Sequence, residues 1–142
     1  MSPEENKAIV RRFYDEVLNG RNMRLLPELW HESAVNYFAG FPEPLRGLHA
    51  LEGFAGQIFG AFPDLYITIE DLLAEGDRVV NRWTGRGTHR GDFMGVPPTG
   101  KPVTITSIDI YRLEAGKIAE EWASADLLGI LRQIGATPGS ES

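Results

Sequence analysis

The clearest candidate for chemistry is Asp109. It is the sole charge in Val103-Thr104-Ile105-Thr106-Ser107-Ile108-Asp109-Ile110-Tyr111, a largely β-branched run. A charge in such a run costs stability unless it is paired or near water. Carboxylates in apolar pockets suit the removal of a proton next to a carbonyl. The competing role is structural: an Asp bonded to Arg, a Trp N–H or the backbone. Asp126 is the second acid, placed where a helix begins, so helix capping competes with catalysis there. His89 shares a strand face with Trp83 and could shuttle a proton or donate to a carbonyl. A surface-loop histidine is the alternative. Asn36, between Val35 and Tyr37, could hold an enolate oxygen or a water. Tyr14 and Tyr111 each bring an apolar ring with a polar tip. Trp30, Phe38, Phe54, Phe59, Trp83, Met94 and Trp122 are candidate pocket walls, against ordinary core packing.

Other chemistries find no support. There is no Cys among the 142 residues, which excludes thiol catalysis, disulfides and Cys-based zinc sites. Three scattered histidines make no metal site, and His31-Glu32-Ser33-Ala34-Val35 lacks the second His of a zincin motif. Gly85-Arg86-Gly87-Thr88-His89-Arg90-Gly91 has the wrong spacing for a dinucleotide loop. No cofactor is expected. The net charge of −6 argues against nucleic acid, whose binding needs excess Lys and Arg. No apolar run approaches a membrane span, and Met1-Ser2-Pro3-Glu4 does not read as a signal peptide. A soluble, cytoplasmic protein is expected.

The elements that must position these residues follow from periodicity. Ser2-Pro3-Glu4-Glu5 is a capping box. It opens a helix with a stripe of Ile9, Val10, Phe13, Tyr14, Val17 and Leu18, closed by Asn19-Gly20. Asn22 is expected to cap a short helix carrying Leu25, Leu26, Leu29 and Trp30, and residues 34–38 read as a short strand. Leu51, Phe54, Ala55, Ile58, Phe59 and Phe62 then form the clearest helical stripe. After Pro63-Asp64 the period falls to two. Strands are predicted over 65–74, 78–90, 102–113 and 117–125, joined by Gly-containing turns, with a closing helix through Ile134. Helices followed by a four-strand meander define an α+β fold. Residues 1–135 read as one domain and 136–142 as a polar tail. Gly85 and Gly87 allow the sheet to bend, so a curved sheet roofed by helices should enclose a small-molecule pocket. Arg82, Arg86 and Arg90 share the opposite face, either solvated or part of a dimer contact.

Further motifs carry a resemblance. They are Phe62-Pro63-Asp64, Gly87-Thr88-His89, Gly95-Val96-Pro97-Pro98-Thr99-Gly100, Ile108-Asp109-Ile110-Tyr111-Arg112, Gly116-Lys117-Ile118 and Leu131-Arg132-Gln133-Ile134-Gly135. With them the chain resembles the SnoaL-like polyketide cyclases, also called ester cyclases, over residues 4–135. The resemblance implies a cone-shaped nuclear transport factor 2-like fold, often a homodimer through the sheet. It also implies a cofactor-free intramolecular aldol condensation in the antibiotic-pathway members. One departure stands out. The acid/base aspartate of the nogalamycin-type cyclases falls on Ala123, their pocket histidine on Asp109, and their pocket asparagine on Asn36. Another carboxylate must therefore serve.

Three functions remain open at this level. The first is a cofactor-independent cyclase or isomerase for a hydrophobic, polyketide-like carbonyl compound, with Asp109 as base. Asn36, a Tyr or His89 would polarise the oxygen. The second is an epoxide hydrolase or epoxide-opening cyclase using Asp109 and Asp126 around one water. The third is a non-catalytic small-molecule-binding domain, since this fold is widely reused.

Overall fold

The computed structural model describes residues 1–136. Apart from Ala136, the expected tail lies outside the described residues. Helix α1 (Pro3–Arg12) begins as its sequence predicts. Ser2 Oγ accepts the Glu5 N–H at 3.1 Å, and Glu5 Oε1 accepts the Ser2 N–H at 3.0 Å. The helix then widens into π-type turns over Phe13–Asn19, which carry the buried Phe13, Tyr14 and Val17. Such wide turns recur at functional sites. Asn19 ends the segment with a double clamp. Its amide donates to the Ile67 carbonyl and accepts the Ile67 N–H, both at 2.8 Å. The clamp fixes the first helix, and with it Tyr14, against the sheet.

The second helical segment is shorter than its stripe suggests. A 3₁₀ turn at Met23–Leu25 leads into one turn of helix, α2 (Leu26–Leu29), with Pro27 in its first turn and no side-chain cap from Asn22. Strand β1 (Trp30–Phe38) starts four residues earlier than expected. The reason is tertiary: Trp30 pairs with Ile118 on a distant strand, and that pairing overrides the local helical pattern. The two-residue β2 (Leu45–Arg46) follows, and then α3 (Leu48–Ala61).

The expected meander is present as β3 (Tyr66–Glu75), β4 (Arg78–Thr88), β5 (Pro102–Glu114) and β6 (Lys117–Ala125). The short helix α4 (Leu127–Gln133) closes the described chain. The sheet has six strands in the order β2-β1-β6-β5-β4-β3. Neighbours are antiparallel except β1 and β6, which run parallel. The helices pack on one face, over a core that includes Val10, Phe13, Trp30, Leu65, Val79, Tyr111 and Ile118. Among the described residues no helix is long and apolar enough to cross a membrane.

One irregularity decides what the sheet presents inward. A β-bulge shifts the β5–β6 register between Arg112 and Leu113. Ile118 and Ala119 are consecutive on β6 and both buried. A bulge opposes two residues to one, and so reverses the facing of everything beyond it. Glu121 and Ala123 thereby face inward, opposite Tyr111 and Asp109. Trp122 is sent to the outer face.

Candidate active site

The period-two alternation of β5 carries Ser107, Asp109 and Tyr111 to the inner face, where all three are buried. They line a cavity of about 160 Å³ between the sheet and the helices. Its walls include Phe38 from β1, Phe54, Ile58 and Phe59 from α3, and Ile105 from β5. For scale, an apolar cavity of roughly 150 Å³ accepts benzene. Among the described residues lining it there is no Lys, Arg or His; its charged groups are the two acids Asp109 and Glu121.

Donors converge on Asp109. Its Oδ2 accepts from Tyr14 Oη at 3.1 Å and from Trp83 Nε1 at 3.1 Å, with Tyr111 Oη 3.4 Å away. Its Oδ1 accepts from the Ser107 hydroxyl. The hydroxyls of Tyr14 and Tyr111 also bond each other. Burial pushes both phenols well above the ordinary tyrosine range. The neighbouring acids add to this, Asp109 first at Tyr14 and Glu121 first at Tyr111. Both phenols therefore keep their protons and act as donors.

Glu121 escaped the sequence reading. It is 4 % exposed, and its Oε1 accepts from Asn36 Nδ2 at 2.7 Å. Burial raises its carboxyl well above the ordinary range, and the neighbouring Asp109 raises it further. A usable signal did exist. The family acid/base position, Ala123, must face the pocket, and period two then carries Glu121 to the same face.

The structure brings Asp109, Tyr14, Tyr111, Trp83, Phe38, Phe54 and Phe59 together around the cavity. Asn36 stands one step behind it, holding Glu121. The remaining candidates lie elsewhere. Asp126 is exposed at the start of α4, where its Oδ1 accepts the Gly129 N–H at 2.9 Å; it is a helix cap. The proposed pairing of Asp109 with Asp126 is thereby removed. Trp122 stacks on Tyr37 outside the sheet, at 5.8 Å and 10°. Trp30 is core, edge-on to Phe13 and Tyr111. Met94 is 53 % exposed and lies on an adjoining pocket of about 530 Å³ with Gln57 and Asp92.

His89 is fully buried but does not line the cavity. Its Nδ1 accepts the Thr99 N–H at 3.2 Å and meets Thr99 Oγ1 at 2.9 Å, while its ring lies 5.8 Å from that of Phe62. Its backbone bonds both Lys101 and Gly100. The imidazole therefore pins the Pro97-Pro98-Thr99-Gly100 loop. His89→Ala should cost about 1–3 kcal/mol, the range for leaving a buried group unpaired. It should leave chemistry at Asp109 largely intact; urea unfolding alongside an activity assay checks both.

An α+β cone whose apolar cavity holds a donor-bound carboxylate belongs to the small-molecule-handling members of the nuclear transport factor 2-like fold. The family model for SnoaL-like polyketide cyclases matches residues 8–134, and the chain belongs to that family. A solved structure from Jannaschia sp. CCS1, assigned as a SnoaL-like polyketide cyclase, superposes with TM-score 0.88 at 27% identity, over 97% of this chain and 98% of that one. AclR of Streptomyces galilaeus, assigned as a hydroxylase, gives 0.85 at 28% identity, over 96% and 89%. IdmH of Streptomyces antibioticus, assigned as a polyketide cyclase, gives 0.80 at 32% identity, over 92% and 98%. A stretch of 97 residues is also 29% identical to part of a dimodular nonribosomal peptide synthase of Bacillus subtilis (strain 168). It covers 66% of this chain and 4% of that protein. These likenesses support a small-molecule function of the cyclase or hydroxylase kind.

Proposed function

We propose that the protein is a cofactor-independent cyclase or isomerase for a hydrophobic carbonyl compound, with Asp109 as the general base. The observation that carries this reading is the placement of Asp109. It is a carboxylate lining an apolar cavity, without a cationic partner among the described residues, held by Tyr14, Trp83 and Ser107. Those donors fix its orientation, and the walls Phe38, Phe54 and Phe59 keep water from competing for a substrate C–H. The first product is an enol, which then closes a ring or takes a proton at another carbon.

The test follows α-proton exchange into D₂O by NMR, using cyclic and open-chain hydrophobic ketones and 1,3-diketones. Exchange above the buffer rate supports the reading. Tight binding with no exchange would reassign the protein as a binding domain.

The same reading includes a homodimer through the outer sheet face. Leu73, Val80, Ile110, Trp122 and Tyr37 stand in one cross-strand row there, by the register of β3, β4, β5, β6 and β1. Leu73 is 64 % exposed. Soluble domains usually cover a continuous apolar row of this kind. Ile110→Glu should convert a dimer to a monomer in sedimentation. A wild type that sediments as a monomer at high concentration would reject the dimer.

A further inference from the structure

We infer that Glu121 is the acid of this site. It holds a proton while Asp109 is ionised, and delivers that proton to the substrate oxygen as Asp109 takes one from carbon. The inference rests on the proposed role of Asp109 as base and assigns the residue that completes it.

The argument begins from charge. Two carboxyl groups share one apolar cavity, and no Lys, Arg or His among the described residues lines it. Two buried carboxylates without a cation cannot both stay ionised at neutral pH; one proton must be kept. Hydrogen bonding decides where. Asp109 accepts from Tyr14, Trp83 and Ser107, and the Tyr111 hydroxyl, 3.4 Å from it, bonds Tyr14. Glu121 accepts from the Asn36 amide, and its carboxyl also meets Tyr111 and Asp109. Three donors hold Asp109 and favour the anion there, which leaves the proton on Glu121. The groups facing Glu121 are Asp109 and Tyr111 from β5, Tyr14 from the first helix and Asn36 from β1. All of them are neutral donors or, in Asp109, negative.

Placement supports the role. Glu121 lies directly across from Tyr111 on the neighbouring strand, and Ala123 lies across from Asp109. The two carboxyls are therefore diagonal neighbours that border the same space, with the small Ala123 leaving room beside Asp109. Asn36 occupies Oε1 of Glu121, and the carboxyl also lies against Asp109, towards which a proton on Glu121 can point.

The step balances. The α-C–H bond breaks and its proton passes to Asp109. The C–H electron pair becomes the C=C bond, and the carbonyl π pair moves onto oxygen. That oxygen takes the Glu121 proton and becomes an enol. The site then holds a neutral Asp109 and an ionised Glu121, at unchanged total charge. In ring closure the enol carbon bonds to an acceptor carbonyl carbon, whose π pair moves onto its oxygen and takes the proton from Asp109, while the enol O–H proton returns to Glu121. In an isomerisation, Asp109 returns its own proton to the new position.

Glu121→Gln tests this, because the amide copies the size of the neutral acid and preserves a partner for Asn36. One arm needs no substrate. A carboxyl raised by folding keeps its proton in the native state after the unfolded chain has lost it. Its stabilisation is therefore complete below its ordinary value of 4.5 and is lost as pH rises towards the folded value. Across that window the wild-type folding constant should fall by up to about tenfold per pH unit relative to the variant, the limit for one proton. Equal pH slopes would overturn the inference.

The second arm is ketone exchange, where Glu121→Gln should slow the reaction about 100-fold while ketone affinity holds. Unchanged exchange would overturn the delivery step. A wild type that exchanges nothing overturns the base reading together with the delivery step. The pH arm distinguishes that result from a failure at Glu121 alone. If the variant does not fold, ¹³C-Glu and ¹³C-Asp labelling of the wild type replaces it. A protonated carboxyl infrared band at neutral pH must move with the Glu label; movement with the Asp label instead overturns the assignment.

Discussion

Asp109→Asn should lower α-proton exchange by about 10²–10⁴-fold, the usual contribution of a positioned base, and leave the fold in place. The amide has the same shape but no lone pair basic enough to accept a proton from carbon. Its hydrogen bonds can nevertheless be kept. Trp83 Nε1 can only donate, so the amide oxygen must take the place of Oδ2. There it also accepts from Tyr14. The amide nitrogen then faces Ser107, whose hydroxyl can turn and accept. Trp83, Tyr14 and Ser107 each keep a partner at the amide, and the stability change should stay within about 1–2 kcal/mol. Exchange rates measured beside thermal melts and near-ultraviolet circular dichroism separate the two effects. If the Asn variant exchanges as fast as wild type, Asp109 is not the base. If it melts far below wild type, the carboxylate is mainly a structural hub.

The strand that carries this residue was legible because its alternation is unbroken. Val103, Ile105, Ser107, Asp109, Tyr111 and Leu113 all face inward in the structure, as period two requires. The stripe on α3 was legible for a similar reason: Phe54, Ile58 and Phe59 sit at helical spacing and do line the cavity. Glu121 was hidden by the bulge in β6. Counting back from the Glu114-Ala115-Gly116 turn with a regular register puts Glu120 and Trp122 inside. The extra residue at Ile118-Ala119 exchanges them for Glu121 and Ala123. Hydrophobicity favoured the same error, since Trp looks like a pocket wall and Glu does not. The parallel pairing of β1 with β6 joins segments more than eighty residues apart, and no local pattern encodes it. His89 was placed on the correct face, but its partner Thr99 lies across a loop whose closure depends on that same contact.

The three tryptophans are equivalent in composition and unequal in place, and truncating Trp30 should have the largest effect on stability. Trp30 is fully buried at the start of β1. Its ring meets Phe13 edge-on at 5.1 Å and Tyr111 at 6.1 Å, and Phe13 in turn meets Tyr14 at 5.4 Å. Replacing a fully buried Trp by Ala removes both its transfer free energy and its packing, at about 3–5 kcal/mol. That is a large share of the roughly 5–15 kcal/mol that holds a domain folded. At about 3 °C per kcal/mol for a chain of this size, Tm should fall by about 10–15 °C. Trp30→Phe keeps a ring against Phe13 and should lose less than half as much. The consequence reaches the site through Tyr111, whose ring leans on Trp30 and whose hydroxyl meets Tyr14 and Asp109. At a temperature where Trp30→Ala is still folded, exchange should therefore slow while ketone affinity changes little, because orientation of the base is lost before the walls are. A melting point within about 3 °C of wild type would mean that the aromatic cluster repacks around the loss. In that case Tyr14 and Tyr111 are held by the sheet and the Asn19 clamp alone.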